Sequence, residues 1–283
     1  MTRGHSPSTL NEALSILNDQ GGNAVPVAGC TDLMVIDYAT GRSHAAVVNI
    51  LGLKELAGIH RTEEWVDIGA ASTFTEIRNH PDVQSVCPIL AEVAATVGAW
   101  QIQNRATIGG NIANASPAGD SLPVLLALDA QCVVAGTNGE RVVDYADMHV
   151  AYRKTALAPG ELIVRVRIPV GNANRIQQFR KVGTRRAQAI SKVLLAMTAD
   201  RDGDQLANVR IGAGSVAAIP MRLVKTEASL NGQVPDLRTA DAAAAVARDE
   251  VQPIDDVRST ADYRKFVLGR LVRRMVLHSG TSG

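Results

Sequence analysis

Between Asn104 and Asp120 the chain sets a paired glycine (Gly109, Gly110), the polar side chains Thr107, Asn111, Asn114 and Ser116, then Pro117 and the acid Asp120. No ordinary core element is written this way. Adjacent glycines let a backbone turn tightly and approach another group closely. The largely apolar run at 122–130 follows at once, so 104–120 reads as a polar loop set against a buried element. A second stretch has similar chemistry. Val27, Ala28, Gly29, Cys30, Thr31, Asp32 and Leu33 follow a short β-rich run through Val25 and lead into the apolar 33–36, a strand, tight turn and helix. Each alone reads as a turn. Together they suit a dinucleotide pyrophosphate, whose two negative charges backbone N–H dipoles can meet where no lysine or arginine cluster is written.

The elements that must position these segments are legible in outline. Leu10, Ala13, Leu14 and Leu17 recur at helical spacing behind Thr9, with Glu12 completing a capping box and Gly21-Gly22 as the stop. A β-rich run at 45–50 follows, then a hairpin of 59–61 with 65–70. Residues 73–98 read as helix broken at His80-Pro81, and 131–135 as a strand. Leu162, Val164, Val166 and Ile168 alternate with Ile163, Arg165 and Arg167, a strand closed by Pro169. The polar stretch 171–176 is the candidate domain boundary. Beyond it, 189–199 and 206–216 flank Asp202-Gly203-Asp204 as a hairpin. From Leu223 the pattern is helical. It ends in an amphipathic helix with Phe266, Leu268, Leu271, Val272, Met275 and Val276 on one face and Arg270, Arg273 and Arg274 on the other.

Composition bounds the function. The chain has 283 residues, enough for one large or two modest domains, and its 46% hydrophobic content supports a real core. A net charge of +1 with scattered lysine and arginine leaves no footprint for nucleic acid or an anionic membrane. No apolar run spans a bilayer and the N-terminal residues lack a signal-peptide core, which predicts a soluble, cytoplasmic protein with no membrane span. Cys30, Cys87 and Cys132 are far apart and no paired-histidine spacing occurs, so no local metal or iron–sulfur motif is present.

The stretches 27–34 and 106–117 resemble the two FAD-binding signatures of the flavoprotein (medium) subunit of molybdenum hydroxylases, of the xanthine dehydrogenase and carbon monoxide dehydrogenase type. Gly160-Glu161-Leu162-Ile163 with Ile168-Pro169, the stretch 179–186, and Asp262-Tyr263-Arg264 resemble later landmarks of that family, so the likeness runs over the whole chain. It implies an α+β fold: a two-subdomain FAD-binding fold of the vanillyl-alcohol-oxidase (PCMH) type over 1–172, with subdomains of about 1–53 and 54–172. A smaller C-terminal α+β domain, a three-stranded sheet with helices, follows over 176–283. The absence of G-x-G-x-x-G after Val27 agrees that this is no Rossmann fold.

The resemblance also implies roles. Residues 27–33 wrap the FAD pyrophosphate, with the Thr31 hydroxyl adding to the amides, and Thr107, Gly109, Gly110 and Asn111 form the second wall. Gly98 and Trp100 lie near the flavin or its ribityl chain, Asn114 and Asp120 bond cofactor hydroxyls, Ile163 packs on the flavin, and Lys181 sits near it as a cation. Read without the resemblance, Trp100 is equally a core residue, Asp120 a helix cap, Ile163 a strand residue and Lys181 an ion-pair partner. Cys30 stands where a second glycine is common, which requires an ordinary backbone region there or modest strain. Ala106 also replaces a frequent glycine.

The function implied is electron transfer. A molybdopterin-binding large subunit oxidises the substrate, and electrons reach FAD through two [2Fe–2S] clusters of a small subunit and leave to NAD+, dioxygen or a quinone. The assembly implied is (αβγ)2. No side chain of this chain is assigned to catalysis, and none to a metal. Two alternatives stand beside it: a self-contained FAD-dependent reductase on the same fold, and a non-catalytic nucleotide-binding scaffold.

Overall fold

The structure is a computed structural model, and it describes residues 2–280. The chain begins with a small parallel sheet in which Ala46–Asn49 lies between Arg3–His5 and Ala24–Val27. The helices Leu10–Asp19 and Leu33–Thr40 make its two crossovers. Thr9 caps the first by accepting from the Glu12 N–H, while the Glu12 carboxylate turns to Ser8. Leu33–Thr40 buries none of its residues, and Gly41 ends it at φ +66°.

Next comes a five-stranded antiparallel sheet, in the order Ile59–Arg61, Trp65–Gly69, Leu162–Pro169, Gln131–Gly136, Gly139–Asp144. The alternation read at 162–168 holds for Leu162, Val164, Val166 and Ile168, all buried, with Arg165 and Arg167 half-buried. Ile163 is buried too, next to an irregularity in the pairing with Gln131–Gly136. A run of short helices fills the excursion between the second and fourth of these strands in that order. Phe74–Asn79, Pro81–Val86 and Pro88–Ala94 replace the single break expected in 73–98, because Pro88 supplies a second interruption after Cys87. Thr73 and Glu76 close a complete capping box on the first of them.

The third sheet is antiparallel, Ile176–Val182, Val193–Asp202, Gln205–Gly214 and the two-residue Met221–Arg222. It therefore has three long strands and a short fourth. Gly203 turns the central hairpin at φ +58°. The helices Val224–Leu230, Leu237–Glu250 and Ala261–Gly280 pack with it. In the last helix Phe266 is exposed and Arg264 buried, reversing the expectation for position 266. Arg264 is buried because its guanidinium donates to the Ser215 carbonyl and to Asp256.

The stretch 171–176 is no slack linker. It forms the 3-10 turn Val170–Asn174, where buried Asn172 donates to the Leu128 and Pro169 carbonyls. The core continues across it: Phe179, Leu194 and Ala196 of the third sheet share one apolar cluster with Val66, Ile163 and the helix Leu122–Ala127. No helix among the described residues is long and apolar enough to cross a membrane.

Candidate functional site

Strand Ala24–Val27 delivers the first polar segment to the edge of a cleft. Beyond the strand, the N–H groups of Gly29, Cys30, Thr31, Asp32 and Leu33 find no acceptor among the described residues, and neither does the Thr31 hydroxyl. A row of unpaired donors is costly unless water or a ligand meets it. Cys30 holds φ +60°, the left-handed region that disfavours a β-carbon, so the strained alternative is the one realised. A β-carbon on Gly29 would fall on the carbonyl of Arg105, so only glycine lets this segment lie flush on the entrance to the second one.

The second segment is not a loop. Thr107, in extended conformation, caps the helix Ile108–Asn114, and its hydroxyl accepts from the Gly110 N–H at 3.1 Å. Neither glycine of the pair has positive φ. Ile108 and Gly109 donate to the Ser72 and Ala70 carbonyls at 3.1 and 2.9 Å, and Asn111 to the Thr107 carbonyl at 2.9 Å. The opening amides of this helix are thus engaged by the protein itself, and the unpaired donors come from the first segment. A bridge between Thr73 and Thr107 and the bond from the Phe74 N–H to the Ala106 carbonyl fix the segment in place.

The two segments face one cleft of about 750 Å3. Val27, Ala28, Gly29, Cys30, Thr31, Asp32 and Leu33 line one side, and Thr107, Gly110, Asn111 and Asn114 the other. Val97 and Ile102 add apolar wall. Asn111 accepts from the Ser121 hydroxyl at 2.7 Å, which orients its amide.

The other residues singled out in the sequence do not line this cleft. Gly109 packs against Ala70, whose β-carbon and carbonyl oxygen a side chain there would meet at 2.7 and 2.8 Å. Gly98 (φ +53°) lies under Ile102, and its carbonyl accepts from the Gln188 N–H. Trp100 is 68% exposed, with the Arg78 guanidinium 5.3 Å from its ring centre. Ile163 is core. Asp120 and Lys181 form an ion pair at 2.5 Å, joined by the Ser191 hydroxyl on Asp120 (2.7 Å) and the Thr96 carbonyl on the lysine (2.9 Å). Burial pushes the Asp120 carboxyl above its ordinary value, against the opposing pull of Lys181 and Ser191. Asp120 caps no helix: Leu122–Ala127 is preceded by Ser121, without a side-chain cap bond.

Sequence reasoning found no cationic cluster, and it missed two arginines. Arg42 and Arg153 both line the cleft. Arg153 turns the small hairpin of His149–Ala151 with Lys154–Thr155, at φ +51°, and the Tyr-Arg pair at its tip carries none of the usual turn residues.

The profile described as the FAD binding domain in molybdopterin dehydrogenase matches residues 1–171, and that of the CO dehydrogenase flavoprotein C-terminal domain matches 178–279. This chain belongs to the FAD-binding subunits of the molybdenum hydroxylase family. It is 32% identical over 266 residues to the nicotinate dehydrogenase FAD-subunit of Eubacterium barkeri, covering 92% of this chain and 90% of the relative. The carbon monoxide dehydrogenase medium chain of Hydrogenophaga pseudoflava is 28% identical over 270 residues, covering 95% and 94%. In structure, the reconstituted CO dehydrogenase from Oligotropha carboxidovorans matches with a TM-score of 0.95 at 27% identity, over 100% of this chain and 99% of that one. The fold is accordingly the PCMH-type FAD-binding architecture with its C-terminal domain, and the protein is the flavoprotein component of an oxidoreductase. The cleft fits the cofactor of this family. Its unpaired amides at 29–33 and the arginines on its lining are donors suited to a diphosphate, and the close approach that only Gly29 permits sets the amides against the second segment. Among the described residues no group of His, Cys, Asp or Glu is arranged to hold a metal ion.

Proposed function

We propose that this chain is the FAD-carrying electron-transfer subunit of a cytoplasmic molybdenum hydroxylase. In this reading it stands between the [2Fe–2S] clusters of a small partner subunit and an acceptor such as NAD+, dioxygen or a quinone. A molybdopterin-binding large subunit completes an (αβγ)2 assembly, and residues 1–172 carry the cofactor while 176–283 form the second domain. The observation that carries the reading is the run of unpaired amides at 29–33, lodged in one cleft with Thr107, Gly110, Asn111 and Asn114, in a chain that belongs to this family over nearly its whole length.

Bound FAD supplies the redox chemistry, and the protein supplies binding and orientation. The amides of 29–33 and the Thr31 hydroxyl hold the diphosphate by oriented dipoles. Gly110 leaves the opposite wall open, and Asn111 and Asn114 offer amide groups to cofactor hydroxyls. Val97 and Ile102 exclude water along the apolar wall. Gly98, Trp100, Ile163 and the pair Asp120–Lys181 lie outside the cleft lining, and their roles toward the flavin belong to this proposal. The relatives are named for carbon monoxide and for nicotinate although both align along nearly the whole chain, which supports a substrate chosen in another subunit.

The test is purification from native expression with flavin, iron and molybdenum assayed together. Co-purifying iron and molybdenum in proportion to FAD is the expected result. FAD alone, reducible by NADPH, would favour a self-contained reductase, and a chain without flavin would favour a scaffold.

A further inference from the structure

Among the described residues, Arg153 is the side chain that touches both walls of the cleft. Its guanidinium donates to Asn114 Oδ1 at 2.9 Å, at the end of the helix Ile108–Asn114, and stands 3.7 Å from Asp32 Oδ2, at the start of Leu33–Thr40. Asp32 has the position of a helix cap but makes no cap bond; its side chain is half exposed, while its inner oxygen Oδ2 is shielded and has no hydrogen-bond partner. That leaves Arg153 as the nearest compensation for a carboxylate beside the unpaired amides. A bare carboxylate there would repel a diphosphate; paired with a guanidinium, it leaves the local charge balanced and the remaining arginine donors free for phosphate oxygens. A second cation, Arg42, lines the same cleft and has no ion-pair partner among the described residues.

The backbone pays for this placement. Arg153 holds φ +51°, a conformation that costs a non-glycine residue free energy and that persists where the surroundings enforce it. The enforcing elements are visible. The hairpin pairs His149 with Thr155 and Ala151 with Lys154. At its base the Tyr145 hydroxyl and His149 Nε2 are 3.0 Å apart, both residues buried. The stem is anchored in the core and only the tip reaches the cleft.

We propose that Arg153 is a diphosphate-binding latch: from the tip of this hairpin it ties Asp32 to Asn114 across the cleft and sets how long the dinucleotide stays bound. The latch rests on the FAD reading above. It assigns to a residue outside both glycine-containing segments the charge that they lack.

The experiment measures FAD release from the full chain by the rise in flavin fluorescence, for the parent, Arg153→Gln, Arg153→Lys and Asn114→Ala. Losing a charge-assisted, two-sided contact should speed release from Arg153→Gln by about tenfold or more, with Arg153→Lys between it and the parent. Release from the parent should quicken as salt rises from about 0.05 to about 0.5 M, and that dependence should shrink in Arg153→Gln. Asn114 Oδ1 holds Arg153 while its amide NH2 stays free for a cofactor hydroxyl, so the two losses should overlap: the double variant Arg153→Gln/Asn114→Ala should release FAD more slowly than the product of the two single effects, and strictly multiplicative effects would count against the tie. Thermal unfolding of the flavin-free chains separates latch loss from misfolding; if Arg153→Gln fails to fold, Arg153→Lys and Asn114→Ala are read in the same way. Parent-like release and salt dependence in a folded Arg153→Gln would overturn the latch and leave the FAD reading intact. A parent chain that takes up no FAD would overturn both.

Discussion

Gly109 and Gly110 are neighbours with opposite duties. The sequence marks them as one unit, a paired glycine beside polar residues, and it cannot part them, because what parts them is Ala70, contributed by the chain just past the strand Trp65–Gly69. Gly109 is pressed on Ala70 and donates to its carbonyl, so its missing side chain serves packing. Gly110 faces the cleft, where a β-carbon would meet only the Thr107 hydroxyl, at 2.9 Å. Gly109→Ala should therefore destabilise the chain by about 1–3 kcal/mol, the range for overpacking against atoms that cannot give way. Gly110→Val should leave the melting temperature closer to the parent's and empty the protein of flavin, since a branched side chain fills space on the cofactor side. Thermal unfolding and the flavin-to-protein absorbance ratio read the two effects separately. Equal stability losses with equal flavin retention would show that the pair acts as one packing unit. Cys30 was legible as a departure from glycine; its φ of +60° shows which way the departure was resolved.

Elements were legible where their residues pattern strongly and illegible where the neighbours hold them. The strand Leu162–Pro169 alternates from Val164 onward and was visible. The helix Ile108–Asn114 was read as a loop because two glycines and two asparagines are poor helix formers, and Thr107 with the Ala70 and Ser72 carbonyls supplies what propensity does not. The hairpin around Arg153 has neither alternation nor a glycine turn, and its stability lies in the buried pair of Tyr145 and His149. Burial pushes the His149 imidazole down to about 4, from an ordinary value of 6.5. The folded chain thus binds this proton less readily than the unfolded one. The stability tied to neutral His149 is complete above pH 6.5 and drains as pH falls toward 4, by at most about 3 kcal/mol. His149→Phe removes the titration and leaves the Tyr145 hydroxyl without its partner, a loss of about 1 kcal/mol near neutrality. Denaturant unfolding at pH 7 and at pH 4 should show the parent ahead at the first and its lead shrinking or reversing at the second. A constant gap would remove His149 from the acid sensitivity.

Across the whole molecule, the sequence pointed to two units divided near 171–176, and in the structure an apolar cluster runs past that point. The helix Leu122–Ala127 is buried along its length, and Gly212 lets it lie against the third sheet, since a β-carbon there would strike the Pro123 carbonyl. Such a contact is set by side-chain shape far apart in sequence, which no local pattern records. Beside this apolar joint lies a largely buried ion pair, Asp120 from the segment after the cleft and Lys181 from the first strand of the third sheet, with Ser191 and Thr96 completing their bonds. Breaking it from one side should cost more than removing it whole. Lys181→Met leaves the Asp120 carboxylate buried with only the Ser191 hydroxyl, a loss of about 3–5 kcal/mol, whereas Lys181→Met/Asp120→Leu exchanges the pair for apolar volume and should recover much of that loss. Unfolding free energies of the parent, both single variants and the double variant give the coupling directly. Flavin content of the same four proteins separates the two roles open to this pair. If it serves only as a joint, the double variant regains stability and keeps its flavin. If Asp120 and Lys181 also hold the cofactor, the double variant regains stability and stays depleted in flavin. Additive losses in the cycle would show that the two charges, despite standing 2.5 Å apart, act independently.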